Sequence, residues 1–127
     1  TFAGESISLA AGSTALDIYN DLKLSKELEN KGNYLINKLQ KAIDENSLND
    51  NIKIYGMPCR PIIEIKHYSK NLSIKKTLSL NLIKDFAKKK ILYNGSIFIC
   101  KTHTLKQLNH MSLIFSEVLE KNKKYFK

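Results

Sequence analysis

The chain has 127 residues, 43% of them hydrophobic and 26% charged, and a formal net charge of +9. That length holds one domain with its own core, and that composition argues against a disordered chain, a bilayer span and a disulfide framework. The charge invites a nucleic-acid reading, but of the 21 basic residues only Arg60 is arginine, the planar fork on which phosphate and base readers rely.

The lysines are scattered along helix faces among asparagine and isoleucine, so a nucleic-acid partner is not expected. Cys59 and Cys100 show no metal spacing, and two free thiols suit a reducing cytoplasm. No membrane association and no metal are expected.

Residues 1–4 read as a loop. A helix follows, with Ile7, Ala10, Ala11, Thr14, Ala15, Ile18 and Leu22 at helical spacing and an unusually small middle, Ala10 to Ser13, against which something packs closely. A second helix is expected over about 25–43, with Leu28, Leu35, Ile36, Leu39 and Ile43 on one side, Ser25 as N-cap and Gly32 weakening its middle. The polar stretch DENSLNDN ends it.

The period then changes from helical to alternating. IKIYG and IIEIKHY read as an antiparallel pair across MPCRP, a turn whose two prolines cannot donate to a ladder. LSIKKTLSLNLIKDFAKKK is an amphipathic helix carrying Leu78, Leu82, Ile83 and Phe86. ILY, NG and SIFICK predict a hairpin with a tight turn. The last helix is capped by Thr102 or Thr104 and buries Leu108, Met111, Phe115, Val118 and Leu119. The order predicts an α+β fold: a small, mostly antiparallel sheet with helices packed on one face, as a single domain over residues 1–127.

Within the chain no constellation of catalytic residues is evident. His67, His103 and His110 are isolated; His103 and His110, seven apart, could share a face, yet no third ligand is near in sequence, and capping or surface roles are the better reading. No serine sits in a nucleophile elbow, and neither cysteine has a basic partner nearby in sequence. Asp17, Asp21, Glu27 and Glu29 fall on solvated helix faces. The run Lys88, Lys89, Lys90 suits a helix C-terminus. The opening stretch differs: a Thr hydroxyl and backbone N–H groups ahead of a helix, with Gly4 permitting close approach, can hold a phosphate. An ordinary capped helix start is the commoner meaning of such a stretch.

TFAGESISLAAGSTALDIY resembles the segment that opens the C-terminal small domain of class III (fold-type I) pyridoxal-phosphate aminotransferases, nearest to glutamate-1-semialdehyde 2,1-aminomutase and its relatives in sugar and cell-surface pathways. YGMPCRP resembles the Gly-x-Pro-x-Arg turn of the sugar-pathway relatives, and FAKKKILYNGSIFICKTHTLKQLN resembles their helix, hairpin and His-Thr helix start. The likeness runs through the whole chain in order and spacing.

The resemblance implies a C-terminal fragment of a longer, homodimeric cytoplasmic enzyme that uses pyridoxal 5'-phosphate on a small amino or keto substrate. It implies an upstream large domain that carries the Schiff-base lysine, so the isolated chain would bind no cofactor and catalyse nothing. Thr1 would donate to the cofactor phosphate across the dimer, with Phe2 in the same loop. Gly4-Glu5-Ser6 stands where many members, the aminomutase included, have Gly-Asn-Pro, which favours the sugar-pathway branch or a diverged relative and speaks against aminomutase activity. Lys90 stands where a glycine is common. Arg60, beside Pro61 at a strand turn, is a candidate for a substrate carboxylate or phosphate, set against a surface ion pair or a packing role. The alternative to all of this is a stand-alone basic α+β binding module for a nucleic acid or a protein partner.

Overall fold

Apolar residues at helical spacing and a pair of alternating stretches build four helices and a small antiparallel sheet. The computed structural model describes residues 4–21, 23–66 and 72–126. In chain order these form α1 (Ser6–Asp21), α2 (Leu24–Glu45), β1 (Ile52–Met57), β2 (Arg60–Ile65), α3 (Leu72–Lys88) and α4 (Leu105–Asn122), closed by a 3₁₀ turn over Lys123–Tyr125. The α+β reading holds. His67 lies outside the described residues.

The stripe expected on the second helix forms: Leu35, Leu39, Ala42 and Ile43 are buried. They share one core with Phe115, Val118 and Leu119 of α4, and with Leu78, Leu82 and Phe86 of α3. Phe86 stands at the centre, its ring 4.7 Å from that of Tyr93 and 6.2 Å from that of Phe115. Burial pushes the Tyr93 hydroxyl up to about 12. Asp85 is also buried, and its carboxylate accepts from Lys121 Nζ and from Asn122 Nδ2, tying α3 to α4. Those hydrogen bonds, Lys121 first, hold its carboxyl below the ordinary carboxylate value.

Two caps differ in outcome. Thr104, one of the two expected residues, caps α4 in a full capping box: its hydroxyl accepts from Gln107 N and Gln107 Oε1 accepts from Thr104 N. Ser25 does not cap α2. The connection from α1 is too short for it: Lys23, at φ 45, precedes a helix that already begins at Leu24. Lys23 N donates to Asn20 O and Lys26 N to Lys23 O, so the turn is closed by backbone alone.

β1 and β2 pair antiparallel from Ile52↔Ile65 to Met57↔Arg60, leaving Pro58 and Cys59 as the turn. The expected hairpin over 91–101 does not form. Asn94-Gly95 does turn, with Gly95 at φ 99, but its two arms part. Tyr93 on the first arm is drawn into the core against Phe86. The second arm pairs instead with the free edge of β2: Ile63 N donates to Gly95 O, Ile97 N to Pro61 O and Ile99 N to Cys59 O. Ile97 and Ile99 thereby turn inward and Phe98 outward.

α1 departs most from expectation. Its residues from Ser6 to Asn20 are all exposed, including Ile7, Leu9, Leu16 and Ile18. α2 is the one element against which it makes more than passing contact. Among the described residues no helix is long and apolar enough to cross a membrane.

Two backbone positions carry local constraint. Lys90 sits at φ 61 just past α3, where Ile91 N closes the helix end on Phe86 O. Glycine is the usual residue at such a left-handed cap, and a lysine there costs about 1 kcal/mol. Gly32 is a close-approach site: a Cβ there would lie 2.0 Å from Pro58 O. The glycine that weakens α2 as a helix thus lets α2 pack directly on the β1–β2 turn. Gly32→Ala is expected to destabilise the fold by about 2–4 kcal/mol, read as a lowered denaturation midpoint; an unchanged midpoint would contradict the contact.

Candidate functional site

Thr1 and Phe2 lie outside the described residues, so the nearest described part of the opening motif is the start of α1. Gly4 has φ 81 and leads into Glu5. The Glu5 carboxylate folds over the helix end, accepting from Ile7 N at 3.1 Å and Ser8 N at 2.8 Å. The hydrogen bonds from Ser8 hold its carboxyl below the ordinary carboxylate value. The donors that a helix start would offer to a phosphate are therefore occupied by the chain's own anion. Among the described residues this end of α1 does not fit a cofactor phosphate, and the contact that the resemblance gives to Thr1 would be made by the loop ahead of Gly4. In this described part, the capped-start reading is the one that the geometry matches.

Arg60 opens β2, exposed, with its guanidinium 4.8 Å above the Phe98 ring. The two residues face each other because the stretch 95–99 runs antiparallel along β2, around the bridge Ile62↔Ser96. Among the described residues Arg60 has no carboxylate partner. Of the roles weighed for it, the structure displays packing, by cation–π stacking.

Phe98 belongs to a concavity of the described chain. A cleft of about 980 Å³ lies between the stretch 89–98 and the first half of α4. Its lining includes the apolar Ile91, Leu92 and Met111 together with His103, Lys106 and His110, and no Asp or Glu. His103 and His110, isolated in sequence, thus share one site. Lys89 also borders it but is held by Glu117 at 2.7 Å.

His103 belongs to a second cluster at the edge of this cleft. The turn Cys100–His103 is closed by His103 N donating to Cys100 O. Cys100 N donates back to His103 Nδ1 at 3.1 Å, which leaves the ring proton on Nε2. The exposed Cys100 Sγ lies 3.1 Å from Thr102 Oγ1 and 3.5 Å from His103 Nδ1. The Thr102 hydroxyl, and after it the backbone N–H groups of the turn, lower the thiol below its ordinary value. This corrects the reading that neither cysteine has a basic partner nearby: the signal was the Cys-x-x-His spacing, short enough for one tight turn. Cys59 is half-buried and lacks such a setting. Among the described residues no group of three potential metal ligands forms.

Comparison with protein-family models, with curated proteins and with solved structures finds no match to this chain.

At neutral pH, iodoacetamide is expected to modify Cys100 several-fold faster than Cys59, and Thr102→Val to slow it by about threefold. Peptide mass mapping of the alkylated chain reads both rates. Equal rates at the two cysteines would contradict the activated-thiol geometry.

Proposed function

We propose that this chain is the small domain of a pyridoxal-phosphate-dependent aminotransferase or aminomutase of class III. The observation that carries the reading is α1. With about 3.6 residues per turn, Ile7, Ala11 and Ile18 fall on one side of the helix and Leu9 and Leu16 on the other. A helix apolar on opposite sides is one that other structure surrounds, yet every one of these residues is exposed. In the proposed enzyme the large domain covers α1 and supplies the missing burial. The resemblance of the opening stretch, and the same order of later landmarks, support the reading of that cover as the domain that carries the cofactor.

The cofactor, when bound, supplies the electron sink for chemistry at the substrate's amino carbon. This chain's part is narrower. Thr1 donates a hydroxyl hydrogen bond to the phosphate of the neighbouring subunit's cofactor, and Phe2 shapes the same loop. Glu5 fixes the start of α1 and so the direction from which that loop departs. Arg60, held over Phe98, keeps a cation beside the substrate side of the domain. The catalytic lysine belongs to the large domain, so the 127-residue chain by itself turns nothing over. The enzyme works as a cytoplasmic homodimer on a small amino or keto substrate.

The test is to express the complete reading frame that encodes this chain and supply it with the cofactor. The product is expected to take up the cofactor with the visible absorbance of a lysine-bound pyridoxal and to transfer amino groups. Thr1→Val in that product is expected to weaken cofactor retention by about tenfold or more, the loss of one charge-assisted hydrogen bond. A product that binds no cofactor, or in which Thr1→Val changes nothing, would overturn the proposal.

A further inference from the structure

The cleft between the stretch 89–98 and α4 has features that neither the core nor the transaminase reading uses. Leu92 and Phe98 are among its lining residues and are 101% and 60% exposed. Large apolar side chains gathered in a concavity, rather than scattered over a convex surface, mark a binding site more than ordinary surface. Its volume, about 980 Å³, falls at the upper end of the range that single small ligands occupy, roughly 300–1,000 Å³.

The charged lining has one sign: Lys90 and Lys106 belong to it beside His103, and no carboxylate does. His103 keeps its Nε2 proton as a donor because its Nδ1 is engaged by Cys100 N. The backbone at Lys90 adds an independent observation. Its left-handed conformation favours glycine, yet a lysine stands there, among the residues that line the cleft. A second copy of the chain is a poor occupant, because each copy carries a net charge of +9.

We infer that this cleft binds an organic anion with an apolar body and a carboxylate or phosphate head. The apolar body lies on Leu92, Phe98 and Met111. The head group pairs with Lys90 and Lys106 and accepts a hydrogen bond from His103. The inference does not rest on the transaminase reading and is tested on this chain alone.

The ring C–H signals of His103 and His110 report on the cleft directly. The chain is titrated with decanoate, decyl phosphate, decyltrimethylammonium and inorganic phosphate, each below its micelle concentration where it has one. Decanoate and decyl phosphate are expected to shift both histidines saturably, whereas the cation and inorganic phosphate leave them in place. The double variant Lys90→Gly/Lys106→Gln is expected to weaken decanoate binding by about tenfold. It keeps its fold, because glycine relieves the left-handed cap and Lys106 is exposed; the core signals of Phe86 and Tyr93 verify this. Equal shifts with decanoate and decyltrimethylammonium would reduce the cleft to a greasy surface and overturn the inference. Saturation by inorganic phosphate alone, or undiminished decanoate binding by the folded double variant, would overturn it as well.

Discussion

Leu35, Leu39 and Ile43 on α2 and Phe115 and Leu119 on α4 are almost wholly withdrawn from water, and the placement of the other elements follows from the seam they form. α2 brings Gly32 onto the carbonyl of Pro58, which fixes the β1–β2 turn against the helix. α4 receives Phe86 of α3 through Phe115 and anchors Asp85 through Lys121 and Asn122. Burial of large aliphatic and aromatic side chains supplies the driving force, while the buried polar side chains among the described residues all have hydrogen-bond partners, which offsets their desolvation and fixes register. The cleft is a consequence. With Tyr93 pulled into the core and Ile97 and Ile99 facing inward, their chain neighbours Leu92 and Phe98 turn outward beside the start of α4.

Much of this was legible because local signals and burial agree. The spacing of Leu35, Leu39 and Ile43, the alternation on either side of Pro58 and a threonine cap ahead of the last helix each point to one structure at both the local and the tertiary level. The failures have physical causes. ILYNGSIFICK carries a hairpin's turn residues, but pairing is a competition among edges. β2 offered its second arm a partner, while the core took Tyr93 from the first. Ser25 has a capping side chain, but the tight backbone turn at Lys23 starts the helix before it. On α1 one apolar stripe was visible and real as a pattern; Leu9 and Leu16 on the opposite side were the sign that no single face would be enough.

The candidate site was less legible, because its residues meet through that same unforeseen edge pairing. Arg60 was singled out as the sole arginine, but its partner Phe98 depends on the stretch 95–99 lying along β2. Cys100 and His103 are close in sequence, and their meeting needed only a tight turn. His103 and His110 are drawn into one cleft by their seven-residue spacing on and just before α4. Glu5 was not legible as a cap: the position that a phosphate could take at the start of α1 is occupied by a carboxylate of the chain itself.

In the proposed enzyme α1 is surrounded by a further part of the same protein. Amide hydrogen exchange along α1 tests it most directly, compared between the 127-residue chain and the product of the complete reading frame. The expected result is rapid exchange over residues 6–20 in the chain alone, with α2 and α4 protected in both samples, and strong protection of α1 in the longer product. Rapid exchange of α1 in both would show that nothing covers it and would contradict the account.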